Sequence, residues 1–256
     1  MSSVLANRGN RLFLILGGFF IANAMIAEFI GVKIFSFEDT FGIEKIRFSL
    51  FGKEASLVFT AGVILWPVVF IMTDIINEYF GHRGVRFLSF LAAGMIGYAF
   101  FMVYNAIGLA PADWWITQSA EKGVPDMQAA FSNIFGQGNW IIVGSLTAFL
   151  VGQLVDVLVF HRIKRATGEK WVWLRATGST LISQFLDSFV VLYIAFVIGP
   201  AKWSYDLFLN VGIVNYIYKF VMAIALTPLI YAGHFLIDKF LGEELAEKMK
   251  AEAMKN

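Results

Sequence analysis

The chain has 256 residues, of which 58% are hydrophobic and only 15% are charged. Soluble domains average about 45–50% apolar and about 25% charged residues, so this composition excludes an ordinary soluble domain and indicates a protein embedded in the lipid bilayer. The net charge of +1 excludes the basic surface that nucleic-acid binding needs. Because the chain has no cysteine and only three histidines, we expect neither a metal site nor a cofactor.

Six apolar stretches are long enough to cross the membrane as helices, which takes about 20 residues for about 30 Å of hydrocarbon. We therefore expect an all-α polytopic membrane protein with six transmembrane helices in one transmembrane domain over residues 1–256. The second and third spans are separated by only four residues, 81–84, which predicts a tight helical hairpin. The expected spans are residues 12–35, 57–80, 85–108, 140–160, 176–198 and 207–236.

The distribution of basic residues predicts which ends of the spans face the cytoplasm. Most of the 20 lysines and arginines flank one side of the predicted bundle. They lie in the N-terminal segment, around the 81–84 connection, in the loop after the fourth span and in the C-terminal tail. We therefore predict that both termini are cytoplasmic and that residues 238–256 form a charged, amphipathic cytoplasmic tail.

The two long loops on the opposite side have different patterns. The first alternates the apolar Ile46, Phe48 and Leu50 with the polar Arg47 and Ser49. This period of two is typical of a strand and predicts a small hairpin. The second loop is rich in tryptophan, which is typical of residues at the depth of the lipid headgroups.

Polar and charged side chains recur inside the spans, although a charge near the bilayer centre costs about 2.5–3.5 kcal/mol on insertion scales. In four spans they are spaced three or four residues apart, so each group lies on one face of its helix. We expect these faces to line one cavity that opens inward. The candidate substrate-binding residues are Asp74, Asn77, Glu78, Gln153, Asp156, Gln184, Asp187, Asn215, Tyr216 and Lys219.

Structural roles compete with ligand binding for several of these residues. Lys219 is either a ligand contact or the counter-ion of Asp156 or Asp187. Ser145 is expected to form a hydrogen bond between helices. The sequence leaves the choice between the two roles of Lys219 open.

The charged residues near the ends of spans one and two have a second interpretation as well. Glu28 and Lys33 are five residues apart, which is a poor spacing for an ion pair within a helix. Lys33 lies where its long side chain reaches the membrane surface. Asp74 and Glu78 lie near the inner end of the second span, where hydration makes a charge less costly.

Three segments, in order along the chain, carry a family resemblance. They are TDIINEYFG at 73–81, GQLVDVLVF at 152–160 and STLISQFLDS at 179–188. Together they resemble the queuosine precursor transporter family, also called the vitamin uptake transporter family. Asn215, Tyr216 and Lys219 resemble the pattern of that family's last helix. Glu28 stands where the resemblance predicts an asparagine.

The resemblance implies six helices in one inner-membrane domain, distantly similar to the substrate-binding subunits of energy-coupling-factor vitamin transporters. It also implies a small-molecule 7-deazapurine cargo: 7-cyano-7-deazaguanine, 7-aminomethyl-7-deazaguanine or a related base, imported so that the cell can salvage it for queuosine in tRNA. The alternative is an uptake carrier for another small heterocyclic vitamin or nucleobase, which includes a substrate-binding subunit of a larger transporter. Proton symport and facilitated diffusion both remain open.

The candidate residues have the chemistry that such a cargo requires. The edge of a guanine-like ring presents two parallel N–H donors, which one carboxylate accepts in a bidentate manner, and an adjacent carbonyl, which accepts a hydrogen bond. Asp156 or Asp187 would supply the carboxylate, and Tyr216, Tyr79 or a nearby phenylalanine would stack on the ring. Glu78 or Asp74 would meet the cation of an aminomethyl group. The donor to the carbonyl would come from Lys219, Gln153, Gln184 or Asn215.

Two other classes of protein fit the sequence less well. An intramembrane enzyme with two aspartates as acid and base would be expected to carry a recognisable motif, and neither Gly-x-Gly-Asp nor His-Glu-x-x-His occurs. A channel is disfavoured because paired carboxylates and a bulky lysine suit a closed pocket better than a conducting row. The chain has no phosphate-binding loop for ATP, so we expect a transporter that is not an enzyme.

Overall fold

The computed structural model describes residues 6–45, 48–50, 53–55, 57–136, 139–167, 172–199 and 201–255. Short 3₁₀ helices lie at Ala61–Ile64 and Ala120–Lys122, and a π-helix at Tyr193–Ile198 continues α7. The α-helices are α1 (Arg8–Ile30), α2 (Phe37–Phe41), α3 (Trp66–Ile107), α4 (Asp113–Thr117), α5 (Met127–Phe135), α6 (Asn139–Thr167), α7 (Val172–Leu192), α8 (Tyr205–Ala225), α9 (Thr227–Leu241) and α10 (Glu243–Lys255).

The structure confirms an all-α membrane protein. Among the described residues, four helical segments are long and apolar enough to cross a bilayer. They are Arg8–Ile30, Ala61–Ile107, Met127–Asp156 and Leu181–Ile198. The number of six spans and the cytoplasmic location of both termini stay predictions.

Helix α3 contains the hairpin that the sequence predicts between the second and third spans. Phe80 and Phe87 both lie against Phe13 near the start of α1, with ring centroids 4.9 and 6.4 Å from that of Phe13. Phe100 returns to Phe29 near the end of α1, at 5.3 Å. The chain therefore reverses between two limbs, residues 66–80 and 82–107. The reversal occurs at Gly81, whose φ of 68° favours glycine.

The first and second predicted spans are shortened by a two-stranded sheet between them. α1 ends at Ile30, and β1 (Ile34–Ser36) then pairs antiparallel with β4 (Val58–Thr60). The residues of these strands are as apolar as those of a transmembrane helix, so hydropathy alone does not distinguish a strand from a helix here.

The loop between β1 and β4 contains the hairpin that its alternating pattern predicts. β2 (Phe48–Leu50) pairs antiparallel with β3 (Lys53–Ala55). Ile46 and Arg47 of the predicted hairpin lie outside the described residues, as do residues 168–171 of the loop after α6 and the C-terminal residue 256.

The C-terminal part of the chain differs from the prediction in two ways. The span expected at 207–236 is divided at Leu226 into α8 and α9, because Pro228 lacks the N–H that a continuous helix needs. The tail is also not simply a solvated end. Leu241 and Ala246 are buried, and the backbone of Ala253 lies against Gly81. Helix α10 therefore packs across the hairpin of α3.

Candidate functional site

Helices α6 and α7 approach each other closely because glycines lie at their interface. A Cβ at Gly144 would lie 3.0 Å from the carbonyl oxygen of Val191, and a Cβ at Gly152 would lie 3.6 Å from the Cβ of Asp187. Without side chains at these positions, the two backbones come together and pack antiparallel. This packing brings the polar face of α6, which carries Asp156, next to the polar face of α7.

The centre of the site is an ion pair between α7 and α8. Lys219 Nζ lies 2.5 Å from Asp187 Oδ2, and both side chains are mostly buried, at 12% and 13% exposed. Asp187 is therefore a counter-ion of Lys219, and a ligand contact of Lys219 stays a prediction. A buried ion pair is costly to desolvate and is weak evidence for a purely stabilising role. Its position inside the bundle is compatible with a role in ligand binding as well.

Asp156 lies one helical turn along the same interface. Its carboxylate accepts a hydrogen bond from Ser183 Oγ, at 3.3 Å, and another from Ser179. Both serines belong to α7, so α6 and α7 are joined by hydrogen bonds as well as by close packing. A carboxylate has about four lone-pair directions, so these two bonds leave Asp156 with acceptor capacity.

Two glutamines bring buried amide groups to the site. Gln184 is only 3% exposed, and neither its Oε1 nor its Nε2 has a hydrogen-bond partner among the described residues. Gln153 is 6% exposed, and its Oε1 is likewise unpartnered. Most buried polar side chains in proteins are hydrogen-bonded, so such groups are candidates for ligand contacts. Gln184 lies one turn from Asp187 on the same face of α7.

Glu28 of α1 reaches the same region, although the sequence places it outside the candidate list. It is buried at 7% exposed and accepts a short hydrogen bond from Ser145 of α6. Its carboxylate also lies within electrostatic range of Asp187. The expected role of Ser145 as a hydrogen bond between helices is confirmed. An acidic residue inside an apolar helix is the sequence signal for Glu28, but the sequence alone does not show which residue it contacts.

We name Glu28, Asp156, Gln184, Asp187 and Lys219 the Asp187 cluster. The other candidates of α8 are close to it: Asn215 and Tyr216 are half-buried within about one turn of Lys219. The ring of Tyr216 meets Phe185 edge to face, with centroids 5.3 Å apart. Stacking of Tyr216 on a ligand stays a prediction.

The three candidates of α3 lie on its first limb and have different surroundings. Asp74 and Asn77 are half-buried on the first limb, and their place in the Asp187 cluster stays a prediction. Glu78 interacts electrostatically with Tyr79 and His234. Glu78 therefore lies near a second polar group of the described residues. Neighbouring residues of one helix point in different directions, so Glu78 has other neighbours than Asp74 or Asn77.

We name this second group, which consists of Tyr79, His234, Asp238 and Lys250, the Asp238 cluster. The hydroxyl of Tyr79 donates a 2.7 Å hydrogen bond to Asp238 and lies 3.2 Å from His234 Nδ1. Lys250 Nζ donates to Asp238 at 3.0 Å and lies 5.3 Å from the centroid of the Tyr79 ring. The cluster ties α3, α9 and α10 together.

The charge state of Asp238 follows from these contacts. Partial burial alone would raise its pKa, but the hydrogen bonds from Tyr79 and Lys250 and the charge of Lys250 outweigh burial. The pKa of Asp238 therefore lies below its ordinary value of 3.8. The N-terminal end of α1 lies at the same end of the bundle, since Arg8 donates hydrogen bonds to the carbonyl oxygens of Phe240 and Leu241.

Comparisons with known proteins match this architecture to transporters. Residues 60–233 match the family model described as "Putative vitamin uptake transporter". The "Probable queuosine precursor transporter" of Bacillus subtilis is 31% identical over 190 residues, which cover 73% of this chain and 75% of the relative. The "Queuosine precursor transporter" of Escherichia coli is 25% identical over 198 residues, which cover 76% of this chain and 80% of the relative. No solved structure matches the chain.

The family match covers all of α3, helices α4 to α8 and the first half of α9, and so contains the three segments in which the sequence shows the resemblance. Together with the long apolar helices, it establishes a multi-pass membrane protein, and an inner-membrane location is consistent with both findings. The chain therefore belongs to the queuosine precursor transporter family, also called the vitamin uptake transporter family.

Proposed function

We propose that this protein imports queuosine precursors across the inner membrane, for salvage into tRNA. The cargo is 7-cyano-7-deazaguanine, 7-aminomethyl-7-deazaguanine or a related base, and it crosses the membrane without chemical conversion. The names of the relatives support the cargo class. The observation that carries the proposal for this chain is the buried Asp187–Lys219 pair beside the unpartnered carboxamide of Gln184.

These groups match the hydrogen-bonding edge of a deazaguanine. A carboxylate oxygen of Asp187 or Asp156 accepts the ring N–H, and the second oxygen accepts the exocyclic amine. Lys219 Nζ or the Nε2 of Gln184 donates to the adjacent carbonyl. Tyr216, beside Phe185, offers an aromatic face for the flat ring, as aromatic side chains do for nucleobases elsewhere.

The proposal is tested by restoring queuosine in a bacterium that can neither make nor import its precursors. Cells that express the chain are given each base at low concentration, and queuosine is measured in digested tRNA. The wild type restores queuosine, whereas Asp187→Asn abolishes uptake, because it removes the charge that binds the two N–H donors. Asparagine keeps the size of the side chain and an acceptor for Lys219, and an immunoblot of the membrane fraction is used to express uptake per amount of inserted protein.

A matched control shows whether the loss of uptake depends on the position of Asp187 or on any change from aspartate to asparagine. Asp113→Asn makes the same substitution at an exposed position in α4 and is expected to leave uptake unchanged. Uptake by Asp187→Asn at the level of Asp113→Asn would remove Asp187 from the site. No restoration by a correctly inserted wild type would refute the cargo.

A second candidate cargo is another small heterocyclic vitamin or nucleobase, held by the same cluster. The description of the matching family supports it, because it names vitamin uptake and no particular base. Competition distinguishes the two cargoes. If the carrier also binds a vitamin, an excess of that vitamin lowers uptake of a labelled deazaguanine. If the carrier binds deazaguanines only, unrelated vitamins leave this uptake unchanged.

A further inference from the structure

We infer that Glu28 is a specificity-determining residue of the substrate site, and that it favours a cargo with a positively charged substituent over a neutral one. On the proposed function, on which this inference rests, the favoured precursor is 7-aminomethyl-7-deazaguanine and the disfavoured one is 7-cyano-7-deazaguanine. The inference assigns to α1 a ligand-binding role that the sequence places on other helices.

The position of Glu28 is defined by contacts with the other helices of the site. The residue lies in the last turn of α1 and is buried, and its carboxylate is held by Ser145 of α6. Helix α6 also carries Gly152, which lies against Asp187 about two turns further along. The carboxylate of Glu28 therefore faces the interface of α6 and α7 from the side of α1, in range of the charge of Asp187.

The charges of this region favour a cation. Glu28 and Asp187 are two acidic groups that repel each other, and Lys219 is bound directly to Asp187. Charges interact much more strongly in a poorly solvated interior than in water. Because Lys219 compensates Asp187, Glu28 gives the three groups a negative net charge. That charge attracts a cationic substituent, whereas a neutral substituent gains no such attraction.

The carboxylates of Glu28 and Asp187 bind different parts of the cargo. The guanine-like edge needs one carboxylate, and Asp187 or Asp156 supplies it. The substituent at position 7 lies on a different edge of the ring system, so Glu28 is the acidic group that meets it. A primary amine such as the aminomethyl group resembles the lysine side chain and is protonated at neutral pH.

An independent observation indicates that a ligand binds here. Gln184 lies on the same face of α7 as Asp187, is 97% buried and has no hydrogen-bond partner for either polar atom of its carboxamide among the described residues. The hydroxyl of Ser188, one turn after Gln184, likewise has no hydrogen-bond partner in the part of the chain that the structure describes. Neutral donors and acceptors suit a heterocyclic ring, and the charged groups beside them suit its substituent.

Glu78 is less well placed for the cation than the sequence suggests. Its charge interacts with His234 and Tyr79 of the Asp238 cluster, and α3 carries it to that end of the bundle. In this inference the cation of the cargo therefore meets Glu28 and not Glu78.

The test compares uptake of the two bases by Glu28→Gln in the queuosine-deficient bacterium, with each base supplied separately at several low concentrations. Glutamine keeps the size of the side chain and an acceptor for Ser145, but it removes the charge. We expect uptake of the aminomethyl base to fall about tenfold or more, while uptake of the cyano base stays within about twofold of the wild type. Glu244→Gln, at an exposed position in α10, is the matched control and changes neither uptake.

The outcomes separate this inference from the proposed function. Equal uptake ratios in wild type and Glu28→Gln overturn the role of Glu28, while the import of both bases leaves the proposed function intact. Import of neither base by the wild type overturns the proposed function, and the inference with it. If Glu28→Gln fails to accumulate in the membrane, Glu28→Asn provides the same comparison, because it also removes the charge and places at position 28 the residue that the family resemblance predicts. An unchanged ratio in Glu28→Asn then overturns the inference.

Discussion

The Asp187–Lys219 pair is the residue-level feature on which the account depends. Both side chains are buried, so removing one partner leaves an uncompensated charge in the bundle. Such a change typically costs about 3–5 kcal/mol, whereas replacing both partners by apolar groups is often neutral. If the ion pair serves only stability, two apolar residues can replace it without loss of transport. If the pair binds the cargo, the same replacement abolishes transport.

We expect Lys219→Met to destabilise the protein by about 3–5 kcal/mol, because it leaves the carboxylate of Asp187 buried without its ammonium partner. Combining it with Asp187→Leu should recover most of the lost stability without recovering transport. The measurements are the melting temperature of the detergent-purified protein and uptake in cells. A double variant that transports normally would show that the pair has a structural role only.

At the scale of the element, the hairpin of α3 is joined to α10 through Gly81. The positive φ of Gly81 costs an ordinary residue about 1–2 kcal/mol. A Cβ there would also lie 3.0 Å from the carbonyl oxygen of Ala253, which forces α10 to move. The glycine is thus required both by the turn and by the helix packed across it.

We expect Gly81→Ala to lower stability by about 1–3 kcal/mol and to loosen α10. Gly94→Ala is the matched control in the same helix, since a Cβ there meets nothing within 4 Å and the residue has ordinary helical φ. That change should be neutral or stabilising by up to about 1 kcal/mol. Thermal unfolding and limited proteolysis of the C-terminal helix measure both effects, and equal behaviour of the two variants would contradict the packing.

The attachment of α10 also has a predictable dependence on pH. The pKa of Asp238 is lower in the folded protein than its ordinary value of 3.8, so the ionised group stabilises the fold above about pH 4. That contribution disappears as the pH falls through the lower, folded pKa. We expect Asp238→Asn to lower the melting temperature by a constant amount above about pH 5, and the difference from wild type to shrink below about pH 4. A difference that stays constant down to pH 3 would contradict the assignment.

At the scale of the whole molecule, the sequence predicts an all-α membrane protein because a helix that crosses lipid needs a long run of apolar residues. Four such helices lie in the described part of the chain, and the number of six stays a prediction. The limits of the first two spans are wrong, since Ile34, Phe35, Val58 and Phe59 are as suitable for a strand as for a helix. The tail shows the same limitation. Its charges predict an amphipathic helix, but only the fold reveals that Ala246 is buried against its neighbours.

The site is predictable to the level of helix faces. Spacings of three and four residues place Gln184 with Asp187 on one face of α7 and Asn215 with Lys219 on one face of α8, and the structure joins these two faces through an ion pair. Packing determines how each helix is rotated about its axis relative to its neighbours, and the spacing of polar residues in the sequence does not contain this information. For this reason the sequence does not reveal that Glu28 contacts Ser145 of α6 or that Glu78 lies near His234.

The most direct test of the central claim is transport by the purified protein. The wild type is reconstituted into lipid vesicles, and entry of labelled 7-cyano- and 7-aminomethyl-7-deazaguanine is followed against vesicles with Asp187→Asn and vesicles without protein. The account predicts saturable entry with the wild type alone, inhibited by an excess of either unlabelled base. Entry no faster than into protein-free vesicles, with correctly inserted and folded protein, would contradict it.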